Sequence, residues 1–119
     1  MSTKNSLKGL IDRLLIEEKR YSDPHFSAQQ LAEMLDVSPS QLSRILKSEY
    51  GMSYTDVVHA HRIQSAMHHL KDRRLASYSV DDIGALVGFR NRQSFFGAFK
   101  KLTGITPDIY RRKNTNGTN

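Results

Sequence analysis

The sequence predicts an all-α fold: two helix-turn-helix units joined by a long linker helix, about seven helices in 119 residues. Three observations carry that prediction. A helix-start signature occurs four times along the chain. No stretch alternates apolar and polar residues for long enough to predict a strand. A pattern of core-type residues recurs after 52 or 53 positions.

The elements follow in order. Leu7, Leu10, Ile11, Leu14 and Leu15 keep the spacing of one helix face, which predicts an amphipathic lead-in helix. It ends before Asp23-Pro24, because proline cannot continue it. Phe26-Ser27-x-x-Gln30-Leu31 then supplies an N-cap serine, a glutamine to reach back to it, and apolar residues for a staple. Val37-Ser38-Pro39-x-Gln41-Leu42 repeats the device, with proline at the favoured first helical position. Met52-Ser53-x-x-Asp56-Val57 and Tyr78-Ser79-x-x-Asp82-Ile83 are the third and fourth. Tyr54 to Lys71 reads as one long helix with Ile63, Ala66, Met67 and Leu70 on one face.

The repeat sets the organisation. Phe26, Ser27, Leu31, Leu35 and Val37 match Tyr78, Ser79, Ile83, Val87 and Phe89, each 52 residues later. After one extra residue in the second turn, Leu42, Leu46, Lys47 and Gly51 match Phe95, Phe99, Lys100 and Gly104. Each copy reads as helix, turn, helix, closed by a glycine suited to the left-handed cap. The expected divisions are a lead-in over 1–25, a first unit over 26–52, a linker helix over 53–75, a second unit over 76–113 and a disordered tail over 114–119.

Charge is unevenly placed. Residues 1–87 hold eleven Lys/Arg and eleven Asp/Glu, which cancel. Residues 88–119 hold Arg90, Arg92, Lys100, Lys101, Arg111, Arg112 and Lys113 against Asp108 alone, and this is the whole of the +6 net charge. A basic patch confined to one part of a small fold fits a polyanion partner, and the alternative is a solvated basic tail. With no cysteine, disulfides and thiolate metal sites are excluded, and a reducing cytoplasm is the expected compartment. No apolar run approaches the roughly 18 residues of a membrane helix, and no secretory leader is visible behind Met1.

Assigning the core leaves a residual face on each second helix. With Leu42, Ile45 and Leu46 inward, the first unit presents Ser40, Gln41, Ser43, Arg44 and Lys47. With Phe95, Phe99 and Leu102 inward, the second presents Arg92, Gln93, Phe96, Gly97 and Lys100. Arginine, glutamine and serine can hydrogen-bond base edges in a major groove, and helix N-termini attract phosphate. Ser38, Lys47, Arg90, Asn91, Lys100, Lys101, Arg111 and Arg112 are the candidate phosphate contacts.

The ordered residues resemble the DNA-binding domain of AraC/XylS-type transcription regulators over positions 26–112. The second unit carries Val80, Ile83, Gly88-Phe89, Phe95, Phe99-Lys100-Lys101, Gly104, Pro107 and Tyr110-Arg111. The first adds Leu31-Ala32, Val37-Ser38, Leu42-Ser43-Arg44 and Gly51, and the linker helix adds Arg62 and Ala66. The resemblance implies two recognition helices on one face of double-stranded promoter DNA, with Ser40, Ser43, Arg44, Arg92, Gln93 and Phe96 as base readers. Relatives usually carry a sensing or dimerising domain as well, so the chain is expected to be either the C-terminal part of a longer regulator or a stand-alone short member, and its expected mechanism is to occupy a promoter site and recruit or obstruct RNA polymerase. Gly97 departs from the family pattern, where a polar or basic reader is common, which implies weaker discrimination in the second unit. Gly84, where alanine is commoner, implies tight helix packing.

Duller readings stand beside these. Arg92 has a phosphate contact as its alternative, and Phe96 divides between closing the core and touching a thymine methyl. Tyr110 and Arg62 read as structural. The five histidines have no carboxylate or thiol completing a metal set, no catalytic constellation is evident, and no cofactor is expected. The competing functions are nonspecific nucleic-acid binding and a helical protein adaptor.

One geometric expectation follows from the linker. Its 18 residues span about 27 Å at ~1.5 Å per residue. That length, with flanking turns, suits recognition helices about 34 Å apart, one turn of DNA. Inserting about 5 bp between the two half-sites of a bound duplex should therefore abolish tight binding, measured by titration of both duplexes. Unchanged affinity would refute a rigid two-site reader.

Overall fold

In the computed structural model, residues 6–116 are described. Seven α-helices run in order: α1 (Leu7–Asp12), α2 (Ala28–Leu35), α3 (Pro39–Tyr50), α4 (Tyr54–Lys71), α5 (Val80–Leu86), α6 (Arg92–Thr103) and α7 (Pro107–Asn116). Among the described residues there is no strand, and no helix is long and apolar enough to cross a membrane.

The helix starts lie where the serines place them. Ser27, Ser38 and Ser79 each accept a backbone amide three residues on, while Gln30, Gln41 and Asp82 return the bond to the serine amide. At Ser53 the hydroxyl accepts the Asp56 amide at 3.2 Å. The Ser79 amide, and then its hydroxyl, hold the Asp82 carboxyl below the usual carboxylate range. Because that pKa is depressed, this cap contributes above the ordinary carboxylate range and is lost as pH falls through the folded-state value.

The lead-in differs from a single helix. Helix α1 opens into a π-helical turn over Arg13–Glu17, Lys19 takes a left-handed backbone with φ 54°, and a 3₁₀ turn covers Arg20–Ser22. The apolar stripe gives the reason. Ile11 and Leu15 are buried, but Ile16 is exposed and Glu17-Glu18-Lys19-Arg20 offer no further apolar position to keep a helix on the core. Leu7, expected on the stripe, is also exposed.

The chain divides into two compact units between His59 and Ala60. In the first, Ile11, Leu15, Phe26, Leu31, Leu42, Leu46, Val57 and Val58 form the core. The Tyr50 hydroxyl donates to the Asp12 carboxylate, and the Tyr54 hydroxyl donates to the Phe26 carbonyl at 3.1 Å. Burial, followed by that bond to Asp12, pushes the Tyr50 phenol far above its ordinary pKa. In the second unit, Ile63, Ala66, Leu70, Ile83, Val87, Phe89, Phe95 and Phe99 form the core. Phe95 is its hub, with ring centroids 5.3 Å from Phe89 and 5.9 Å from Phe99. Thus α4, the expected linker helix, gives Val57 and Val58 to one core and Ile63, Ala66 and Leu70 to the other.

Two further expectations are corrected. Leu102, assigned inward, is 51% exposed. It sits in the last turn of α6, beyond Phe99, and Tyr110 covers Phe99 instead, with centroids 5.5 Å apart. The tail is helical through Asn116, with the Asn114 amide donating to the Tyr110 carbonyl at 2.8 Å; positions 117–119 lie outside the described residues.

Gly84 packs against the hub. A methyl group built there would lie 2.5 Å from Phe95 Cδ2 and 2.8 Å from Cγ, closer than packed atoms approach. Replacing a helical glycine by alanine ordinarily gains about 1 kcal/mol, but forcing a methyl against a ring enclosed on other sides costs about 1–3 kcal/mol. Gly84→Ala should therefore destabilise the second unit by up to about 2 kcal/mol net. Thermal melting checks this, and a raised midpoint would contradict it.

Candidate nucleic-acid interface

Each second helix is aimed by its turn. In the first unit Asp36 has φ 56°, and the Val37 amide reaches back to the Ala32 carbonyl at 3.0 Å. In the second, Gly88 has φ 114°, and the Phe89 amide reaches the Gly84 carbonyl at 3.0 Å. The same closure therefore recurs on two different residues. Val37 and Phe89 then pack into their own cores, and Ser38 and Asn91 cap α3 and α6. Gly51 and Gly104 end these helices with φ of 70° and 87°.

Leu42 and Leu46 anchor α3, with Ile45 half-buried. Ser40, Gln41, Ser43, Arg44 and Lys47 are all exposed. Arg44 and Lys47 have no ion-pair or hydrogen-bond partner among the described residues. Gln41 is more constrained than its exposure suggests, because its Oε1 accepts the Ser38 amide at 2.8 Å. Its side-chain NH₂ alone remains for another partner. The Ser38 hydroxyl accepts the Gln41 amide at 3.1 Å and keeps its own proton to donate.

On α6, Phe95, Ala98 and Phe99 are buried, while Gln93, Gly97, Lys100 and Lys101 are exposed. Nothing lies within 4 Å of a methyl group built on Gly97, so that part of the helix is bare backbone facing open space. Phe96 is half-buried and meets Phe95 edge-on, with centroids 5.9 Å apart, which favours its role in closing the core. Arg92 projects from the first turn, but it is not free. Its guanidinium carbon stands 3.9 Å from the Phe96 ring centroid, and Nη1 pairs with the Asp81 carboxylate of α5.

The candidate phosphate residues separate in the same way. Arg90, Lys100 and Lys101 are exposed without partners among the described residues, and Arg112 lies near Asp108. The Asn91 side-chain oxygen is taken by the Ser94 amide at 2.8 Å. Arg111 is turned into the unit, donating to the carbonyls of Tyr78 at 2.7 Å and Leu75 at 3.0 Å. A guanidinium spent on two carbonyls ties α7 to the loop before α5, so Arg111 is a structural tie here. Arg62 is buried with its guanidinium over Phe89, in keeping with a structural reading. Asp81 escaped the sequence reading because eleven residues and a turn separate it from Arg92, with no local pattern joining them.

The model of a helix-turn-helix domain family matches residues 31–113. The transcriptional regulatory protein YesN of Bacillus subtilis is 35% identical over 103 residues, covering 85% of this chain and 27% of its own length. The arabinose operon regulatory protein of Salmonella typhimurium is 31% identical over 90 residues, covering 76% of this chain and 31% of its own. This chain thus spans less than a third of either relative. Among solved structures, the C-terminal domain of AraT, a response regulator from Geobacillus stearothermophilus, superposes with a TM-score of 0.81 at 28% identity, covering 94% of this chain and 88% of that one.

The two kinds of cation in this region should respond differently to truncation. Arg111→Ala removes two charge-assisted bonds and should lower stability by about 1–2 kcal/mol. Lys101→Ala touches nothing internal and should stay within about 0.5 kcal/mol. Denaturant titration of both variants decides, and equal stabilities would remove Arg111 from the scaffold.

Proposed function

The chain belongs to the AraC/XylS-type helix-turn-helix family, and from that premise we propose that it binds double-stranded DNA sequence-specifically through α3 and α6 and regulates transcription by occupying promoter sites. The observation that carries this reading is the unpartnered edge of α3. Ser40, Ser43 and Arg44 stand exposed in its first turns, where no packing or pairing within the unit accounts for them. A recognition helix offers its N-terminal residues to base edges in this way.

Roles divide by chemistry. Arg44 carries a planar fork that can grip guanine O6 and N7, and Ser40 and Ser43 can donate or accept at neighbouring bases. Gln41 contributes through its NH₂ alone, since its oxygen caps the helix. In the second unit Arg92 and Gln93 read, and Phe96 supports Arg92 from below. Ser38, Lys47, Arg90, Lys100, Lys101 and Arg112 hold phosphate, which fixes register without reading sequence. Arg111 is left out of that set because two of its five N–H donors already hold the Tyr78 and Leu75 carbonyls and turn it into the unit. No catalytic step is assigned. The reading places the chain in the cytoplasm, as the DNA-binding part of a longer regulator able to recruit or obstruct RNA polymerase.

Selection of bound sites from random DNA at physiological salt tests the proposal; an enriched motif is expected, and its absence would leave only nonspecific binding. On that motif, Arg44→Ala should cost about 1–3 kcal/mol and relax preference at one or two positions. Lys101→Ala should weaken cognate and scrambled duplexes alike and reduce the salt slope by about one. Because Gly97 offers no side chain, Arg44→Ala should be more damaging than Arg92→Ala. Equal losses on both duplexes for Arg44→Ala would make it a phosphate holder and unseat α3 as a reader.

A further inference from the structure

We propose that Asp81 is a specificity-determining residue: from α5 it holds Arg92 over the Phe96 ring, so that one guanidinium edge is presented to one guanine. This rests on the reading that α6 enters the major groove. An arginine at the start of a helix is a poor reader when free, because its long side chain carries about 2 kcal/mol of rotamer entropy and can reach several bases and phosphates. Here two contacts remove that freedom before any DNA arrives. The guanidinium carbon lies 3.9 Å from the centroid of Phe96, one helical turn on, so the ring limits where the group can sit. Nη1 donates to Asp81 Oδ1, a second anchor that limits how the group can turn over that ring.

The donor inventory then selects what is read. With one Nη1 proton given to Asp81, the edge formed by Nε and Nη2 is left, and no partner among the described residues takes either. Their two N–H bonds point along one edge in parallel, which is the spacing that guanine O6 and N7 accept. Phe96 cannot drift under this load, because its ring is wedged edge-on against Phe95, the buried hub of the unit. Beside the held arginine, Gly97 leaves the helix surface bare, so the groove wall can approach without meeting a competing side chain.

A carboxylate at a DNA-facing edge also has a dull account, as a surface ion pair with both partners more than half exposed. The two accounts differ in the ratio of selected to random binding. If Asp81 acts only through its charge, its removal lessens repulsion from DNA equally for every sequence. If it holds the reader, its removal raises binding to random DNA but not to the selected site.

The test uses the 119-residue chain, the duplex that it enriches from random DNA, and a scrambled duplex. Asp81→Asn should reduce the ratio of selected to scrambled affinity by about fivefold or more, the equivalent of losing one bidentate base contact. Phe96→Leu, which keeps an apolar body against Phe95, should reduce the ratio in the same way. Arg92→Ala should reduce it too, and adding Asp81→Asn to Arg92→Ala should change it no further. An unchanged ratio in Asp81→Asn, with Arg92→Ala still lowering it, overturns the brace and leaves α6 as a reader. An unchanged ratio in Arg92→Ala overturns both the brace and the reading role of α6.

Discussion

The left-handed residue in each turn is the constraint on which the rest of the molecule depends. A helix-turn-helix unit must reverse its chain in a few residues and then start a second helix at a fixed angle. One residue with positive φ achieves this, and the backbone bond just after it locks the result. Asp36 and Gly88 fill that place, with φ of 56° and 114°. Everything presented to the outside, from Ser40 to Lys47 and from Arg92 to Lys101, inherits its direction from those two residues. Non-glycine residues rarely sit there, although Asp tolerates it better than most. The first unit therefore carries a small strain that the second avoids.

Much of this frame was legible in the sequence, because it rests on local rules. Serine caps, a proline at the first helical position and glycine after the last turn act within four or five residues, and the helices start and stop where they direct. The 52-residue repeat was legible for the same reason, since both copies obey one set of packing positions. The lead-in was misread because spacing in Leu7 to Leu15 describes a face without stating how far a core extends to meet it. Leu102 failed likewise. Its position continues the α6 stripe, but the core ends one turn earlier under Tyr110.

The candidate site was only half legible. Which side chains are exposed on α3 and α6 followed from periodicity, yet what those side chains touch did not. The fates of Arg44, Arg92 and Arg111 diverge completely: unpartnered, held by Asp81 over Phe96, and tied to two carbonyls. No composition or spacing distinguishes three exposed-looking arginines, because the partners that hold Arg92 and Arg111 stand 4 to 36 positions away and meet them only on folding. Gln41 is a subtler case. The capping rule and the base-reading rule both want its amide, and the cap takes the oxygen.

The two units also part in charge, and on the DNA-reading proposal that divides their labour. The first, residues 1–59, holds seven Lys/Arg against eight Asp/Glu; the second holds eleven against four. A slightly acidic unit, with Lys47 as its one lysine assigned to phosphate, gains less from releasing counterions, so more of the binding it contributes must come from directional contacts that only the right bases satisfy. A strongly basic unit gains from any duplex, and its discrimination is diluted unless a reader is held in place. The free Arg44 and the braced Arg92 fit that difference. Freedom is tolerable where binding elsewhere on random sequence is weak, whereas a unit that already adheres to every duplex discriminates only if its arginine is aimed.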